Sequence, residues 1–586
     1  MSMRRPSGLG VMVIAAVVAI MVWSAFDARE TSTAVPVAEA AGHDVDTPAA
    51  AFVEAGQGDA QESNVEASTA SPSRDDAEVA PRGALSTADV TNASTTSAPA
   101  ASVEPFLAPR QGLKTRKIAR AQLGSKIEAE LQRKSLAGAS VGIAVRSVTH
   151  GNELFARLGS TPLKVASNDK LLTSLSVLEA LGANFRFTTR VLARGTISNG
   201  VLDGDLVIQG DGDPGDDVLD EALAKPLMLE RLVRVVKDAG ITRVTGGLIV
   251  DDTIFDREYV PPGWPKDQLH KEYCAPVAGF SLCQNMLTVR IQPGKAVGDP
   301  GVIKLEPDSG AYEVRNAVKT VAKNGKHEVG LPAPTQPGKV TISGTTPFNS
   351  KPEPIRVPVA DPAKTAGQHV KRALERAGIT IFGAVALTEA RVASGAGVRL
   401  LGKVDAPLID RLRVMNKDST NSVAEHLYKR AGAQLHGVGS AETGGRAVLA
   451  ALAKHGIDTD GAISEDGSGM GRGNRFTPRQ IAALLAVLYR STHRDAFLDT
   501  LPISGVDGTL KNRMDEPQYR QRVRAKTGYI TKVSALSGYA QTDAGEVLAF
   551  SILINDFDVR KVGNSEMKDV QDDIARLLVD LAGVDS

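Results

Sequence analysis

VASNDKLLTSLSVLEALG, residues 165–182, sets Ser167 three positions before Lys170 and follows the pair with Leu171, Leu172, Leu175, Val177, Leu178 and Leu181. Apolar residues near i, i+3, i+4 and i+7, closing at Gly182, predict a strongly buried helix that opens at Ser167. Residues three apart share a helix face, about 5–6 Å between Cβ atoms, so Lys170 can reach the Ser167 hydroxyl. A serine at a helix N-terminus also has backbone N–H groups and the positive end of the dipole beside it. A lysine serves as a base near neutral pH only when burial or a second cation lowers its pKa, and the leucines supply burial. The competing reading is a serine cap followed by a surface lysine. A second S-x-x-K, Ser565 to Lys568 in NSEMKDV, reads as such a cap, with Asp569, Asp572 and Asp573 keeping Lys568 solvated.

Two later stretches bear on the choice. MNKDSTNSVAEHL holds Ser419-Thr420-Asn421. Its chemical reading makes Ser419 a proton-relaying hydroxyl and Asn421 an amide that holds a substrate carbonyl. Its plain reading is a helix start with Ser422 and Glu425 as a capping box. RVRAKTGYITKVSALSGYA holds Lys526-Thr527-Gly528 at the start of a strand-like segment. The glycine permits close approach by an extended ligand. Lys526 and Thr527 can bind a carboxylate, and Lys526 is also a second cation able to lower Lys170.

Composition narrows the field. Sixty-eight basic residues cancel sixty-eight acidic ones and aromatic content is 4%, so no basic-aromatic stripe for nucleic acid is present. The nine histidines are scattered without H-E-x-x-H or a Cys/His cluster, which argues against a metal site. No dinucleotide fingerprint or G-K-[ST] loop occurs, and no cofactor is implied. Cys274 and Cys283 are the two cysteines; a short disulfide and two small buried thiols are both open.

At the N-terminus, Arg4 and Arg5 precede 18 uncharged residues, Leu9–Phe26. That pattern directs export of the downstream chain. Residues 1–28 are expected to be a signal peptide or a membrane anchor, which puts the body outside the cytoplasm. Residues 29–112 run in Ala, Ser, Thr, Pro and acidic residues, too polar to offset chain entropy, and are expected to be a disordered tether.

The body divides by texture. ARAQLGSKIEAELQRKSL reads as an amphipathic helix, ASVGIAVRSV and NELFARLG as strands, and then comes the Ser167 helix. Together they make residues 113–186, the first part of the catalytic domain. Residues 187–396 hold short strand candidates between Gly, Pro and Asp turns and are expected to form inserted β-rich domains. Residues 397–586 are helical, then close with strands at RVRAKTGYI, ALSGYAQT and EVLAFSILIND and a last helix. A sheet assembled from both chain ends would bring the early helix and the K-T-G strand together.

S-x-x-K, S-x-N and K-T-G in this order, about 250 and about 107 residues apart, resemble the active-serine penicillin-recognising enzymes. With GDGDP (210–214), DDTIFD (251–256), DGSGMGRGNRFTPR (466–479) and LPISGVDGTLKNR (501–513), the chain from about 115 to 586 resembles the class C low-molecular-mass penicillin-binding proteins. These are periplasmic D-Ala-D-Ala carboxypeptidases and endopeptidases. The resemblance implies a multidomain α/β fold: a DD-peptidase/β-lactamase-like transpeptidase domain, a sheet flanked by helices, with β-rich domains inserted after the first catalytic helix. It implies serine acyl transfer on peptidoglycan stem peptides and acylation by β-lactam antibiotics. Ser167 would attack, Lys170 take the proton, Ser419 and Lys526 pass it to the leaving amine, and Asn421 hold the substrate amide. The backbone N–H groups of Ser167 and Tyr529 would form the oxyanion hole. Localisation would be periplasmic, with attachment to the inner membrane open. Relatives carry a second serine where this chain has Gly471. By the same resemblance Arg472 meets a stem-peptide carboxylate, Tyr273 walls that pocket, and Asp267 stands one position from the usual acid. A β-lactamase and a catalytically idle peptidoglycan-binding or penicillin-sensing protein are the other readings.

Overall fold

The computed structural model describes residues 117–583 apart from 217–226, 309, 311, 331–337 and 394. The expected export segment (1–28) and tether (29–112) lie outside the described residues. Among the described residues, no helix is long and apolar enough to cross a membrane.

The central sheet is drawn from both ends of the chain. Strands β1 (Ser140–Ser147) and β2 (Glu153–Arg157) come from the N-terminal side. Strands β3 (Val523–Ile530), β4 (Val533–Gln541) and β5 (Val547–Asn555) come from the C-terminal side. The order is β3-β4-β5-β1-β2, all antiparallel, with Ser140 opposite Asn555 and Ser147 opposite Leu548. Strand β5 is buried along its whole length, and its alternate residues serve two cores. Leu548, Phe550, Ile552 and Ile554 pack with Leu123 and Ile127 of the helix Leu123–Glu130 and with the helix Asn564–Val579. Val547, Ala549 and Leu553 face the helical core instead. That is why VLAFSILI reads as a continuous apolar run rather than an alternating one; each such side chain contributes about 1.5–3 kcal/mol by leaving water.

Helix α1 (Asp169–Leu181) lies in the helical core with α2 (Asn421–His436) and the helices Ala441–Lys454 and Pro478–Arg490. After α1 the chain leaves through the strand Arg186–Ser198 and returns along Val398–Pro407, its antiparallel partner. Between them a second sheet adds Val201–Gln209 and Leu248–Asp251, and helices Met228–Asp238 and Pro362–Arg376 contribute to its core. Two three-stranded sheets within 286–358 complete the insertion around Val289, Ile291, Val318 and Ile342. The architecture is the expected multidomain α/β one.

The GDGDP and DDTIFD stretches fasten this insertion to the helices around Ser419. Asp213 accepts two hydrogen bonds from the Arg411 guanidinium, at 2.7 and 3.0 Å. Asp256 pairs with buried Lys429 at 2.6 Å and Asp211 with Arg430 at 3.3 Å.

One local expectation changes and two open alternatives are decided. Cys274 and Cys283 are two buried thiols rather than a disulfide. The helix Asn564–Val579 is capped by Gly563, and Ser565 donates instead to Glu566; its hydroxyl sits inside the first turn, past the capping position. No capping box forms at α2, whose N-cap is Thr420, because Glu425 is drawn inward to backbone N–H groups of another loop.

Candidate active site

The start of α1 is a tight turn rather than a simple helix end. Ala166–Asn168 form one 3₁₀ turn before α1, and Ala166 has a left-handed backbone, φ 46°. That conformation costs a residue with a side chain about 1–2 kcal/mol, so neighbours must hold it. Asn168 Nδ2 donates to the Lys526 carbonyl at 2.9 Å, tying the turn to β3. On the other side Gly469 packs against Ala166 so closely that a Cβ there would lie 1.8 Å from its carbonyl oxygen. Ser167 is left half-buried at the edge.

Lys170, fully buried, points its amine at three acceptors. Nζ is 3.1 Å from Ser167 Oγ, 2.7 Å from Asn421 Oδ1 and 2.9 Å from the Ser468 carbonyl. Burial pulls its pKa down to about 8, against Glu425, Asp466 and Asp169. Lys526, also fully buried, donates to Ser419 Oγ and to the Thr527 carbonyl, both at 2.9 Å. Burial first and then repulsion from Lys170 hold it well below the ordinary lysine range. The expected closeness of the two cations is thus present, and burial is the leading cause of the shift at each. The repulsion between the two ammonium groups is mutual and adds to burial in favouring the neutral amines.

Ser419 also has a left-handed backbone, φ 60°, in the turn between the helix Leu408–Lys417 and α2. Asn421, first residue of α2, accepts from Lys170 and donates through Nδ2 to the Tyr273 carbonyl at 3.0 Å. The three motifs thus converge: two serine hydroxyls, each beside a buried lysine, with Asn421 touching one of the two lysines. Thr527 Oγ1 donates to Thr509 Oγ1 at 2.9 Å, linking β3 to the 501–513 stretch. Gly528 lies against the turn, where a Cβ would stand 2.9 Å from the Ser167 amide nitrogen. Tyr529 follows at the strand end, 45% exposed.

The remaining expected pocket residues lie at the surface. Tyr273 is 43% exposed; its ring hydroxyl donates to Gln268 Oε1 at 3.2 Å, and its tie to the site runs through its backbone carbonyl. Asp267 is exposed on a 3₁₀ turn. Arg472 is exposed, and its carbonyl accepts from Arg475 at 2.6 Å. Gly471 has a local reason: its N–H donates to Asp466 Oδ2 at 2.6 Å, and a Cβ would stand 2.6 Å from that same oxygen. Among the described residues no group of His, Cys, Asp and Glu could hold a metal ion.

Sequence reasoning missed the acids behind Lys170. Asp169, Glu425 and Asp466 are all buried. Asp169 reads as a first-turn acid on the helix dipole and Glu425 as half of a capping box, so neither pattern points to Lys170.

Residues 123–581 match the D-Ala-D-Ala carboxypeptidase 3 (S13) family. A D-alanyl-D-alanine carboxypeptidase of an Actinomadura species is 32% identical over 79% of this chain and 85% of its own. The D-alanyl-D-alanine carboxypeptidase DacB of Haemophilus influenzae is 27% identical over 73% of this chain and 88% of its own. The crystal structure of penicillin binding protein 4 (dacB) from Haemophilus influenzae superposes with TM-score 0.66 at 26% identity, covering 77% of this chain and 98% of that one. A further structure of that protein, in complex with a β-lactam, superposes with TM-score 0.62. With the match spanning nearly all of the described body, the chain belongs to the D-Ala-D-Ala carboxypeptidase 3 (S13) family.

Proposed function

We propose that this protein is a serine-type D-Ala-D-Ala carboxypeptidase and/or endopeptidase on peptidoglycan stem peptides, working through an acyl-enzyme on Ser167. The observation that carries the reading is the pair of hydroxyl–lysine contacts, Ser167–Lys170 at 3.1 Å and Ser419–Lys526 at 2.9 Å, with the two lysines close enough to repel each other.

In the first step neutral Lys170 takes the Ser167 proton as Oγ bonds to the carbonyl carbon of the penultimate D-Ala. The backbone N–H groups of Ser167 and Tyr529 receive the charge that builds on the carbonyl oxygen. Ser419, with Lys526 behind it, passes the proton that Lys170 took on to the amine nitrogen as the C–N bond breaks, so that D-Ala leaves and Lys170 is neutral again. Water then attacks the ester, and Lys170 again moves the proton. Asn421 orients the substrate amide and Lys170 together. Lys526, Thr527 and Gly528 line the edge on which an extended peptide and its carboxylate would lie. A β-lactam acylates Ser167 in the same way, but its amine stays tethered, so hydrolysis stalls. By the family resemblance Arg472 meets the stem-peptide carboxylate and Tyr273 walls that pocket, with Asp267 one position from the usual acid.

The protein acts outside the cytoplasm, in the periplasm, with residues 1–28 as export signal or anchor and 29–112 as tether. Residues 113–186 and 397–586 build the catalytic domain around an inserted 187–396.

The test is a digest. Release of D-Ala from a pentapeptide, and cleavage of cross-linked dimers, are expected from the protein and not from Ser167→Ala. Equal release by both would overturn the reading.

A further inference from the structure

Glu425 has no part in the steps above, yet it is fully buried one helical turn below Asn421. Its carboxylate accepts two backbone N–H groups from one loop, Gly467 to Oε2 at 3.0 Å and Ser468 to Oε1 at 2.9 Å. The Ser468 carbonyl is one of the three acceptors on the Lys170 amine. The same turn is held from α1 by Thr173, whose hydroxyl donates to the Gly467 carbonyl at 2.8 Å. Asp466, next in the loop, is spent on Gly469 N, Gly471 N, Asn474 Nδ2 and Trp264 Nε1. One face of α2 therefore grips Lys170 twice, directly through Asn421 and indirectly through Glu425 and the turn.

We propose that Glu425 is a positioning residue for Lys170: it fixes the 467–468 turn that aims the lysine amine at Ser167, and its carboxylate supplies the counter-charge for the lysine. This rests on Lys170 being the base for Ser167.

The charge balance around it is crowded. Lys170 and Asp169 face Glu425 from α1, Asp466 from the loop and Tyr428 from its own helix, while Glu465 bears on Asp169 and Lys526 on Lys170. Burial, then Asp466, push the Glu425 carboxyl up, while the hydrogen bonds from Gly467 and Ser468 and the charge of Lys170 hold it down. Loss or gain of charge at one is thereby felt at the other.

The test is the pH profile of penicillin acylation. Glu425→Gln removes the negative charge and offers an amide N–H to a backbone N–H. The plateau rate is expected to fall and the midpoint to move to lower pH by about one unit, as a lysine loses a nearby counter-charge. Glu425→Asp keeps the charge on a shorter arm, so its plateau falls while its midpoint stays. A merely structural role lowers the plateau of both and moves neither midpoint; an unmoved midpoint in Glu425→Gln overturns the proposal. If the variants do not fold, the unaltered chain decides by pH-difference infrared spectroscopy. A carboxylate band that shifts with the acylation midpoint supports it, and a carboxylate spectrum flat across that range, or a carboxyl still protonated there, overturns it. If the unaltered chain is not acylated at Ser167 at any pH, the base assignment itself fails, which is a different result from an unmoved midpoint.

Discussion

Gly528 stands so close to Ser167 that a Cβ on it would lie 2.9 Å from the Ser167 amide nitrogen and 3.1 Å from the Val165 carbonyl. Both are backbone atoms in a turn already held in a left-handed conformation at Ala166. Gly528→Ala must therefore push β3 off the turn or bend the turn itself. The expected result is a fall of about 10²-fold in acylation rate, the scale of a 1 Å misplacement of reacting groups. The melting temperature should shift only slightly, since the change lies at the strand end. An unchanged rate of fluorescent-penicillin acylation would contradict this.

The pH dependence of acylation comes from the Lys170 amine. Only its neutral form can take the Ser167 proton, and burial sets its pKa at about 8. The rate is thus expected to rise as pH climbs through about 8 and then level off. Lys170→Met removes the base, so acylation should fall by several orders of magnitude with no rise across that range. Stopped-flow acylation from pH 6 to 10 checks both.

Asn421 tests the sign of the electrostatics. Its Oδ1 accepts from the Lys170 amine at 2.7 Å. Asn421→Asp would place a carboxylate there, favour the charged amine and move the acylation midpoint to higher pH. Asn421→Ala removes the acceptor without adding charge and should depress the plateau with a much smaller shift. Opposite shifts would refute the assignment of the midpoint to Lys170.

The docking of the inserted module predicts a stability effect. Arg411 and Asp213 are both largely buried and joined by two hydrogen bonds. Asp213→Ala leaves the Arg411 charge without that partner and should cost about 3–5 kcal/mol, read by chemical denaturation. Residues 418–421 come directly after the Arg411 helix, so acylation should weaken as well. A loss under 1 kcal/mol would show that Asp216, the other partner of Arg411, suffices alone.

The sequence made the three motifs legible because each is a short pattern with its own chemistry. It also made the sheet legible, since ASVGIAVRSV and EVLAFSILIND carry strand composition at opposite ends of the chain. What it hid is burial that arises only when distant segments cross. Glu425, in NSVAEHL, has the spacing of a capping box, and nothing local shows that the 466–471 loop will cover it. Asp169 looks like a first-turn acid favouring the helix dipole, yet it is 1% exposed with its carboxyl raised well above the ordinary range by burial and by Asp466. The same holds for GDGDP and DDTIFD. They read as turns, and their ion-pair partners Arg411, Lys429 and Arg430 lie some 200 residues away.

The central claim is that Ser167 is acylated with Lys170 as its base. Mass spectrometry of the folded protein after reaction with a fluorescent penicillin tests it most directly. The account predicts one stoichiometric adduct mapped to the peptide containing Ser167, none on the Ser565 peptide, and none in Ser167→Ala or, on the same timescale, in Lys170→Met. An adduct elsewhere, or none at Ser167 in the folded unaltered chain, would contradict it.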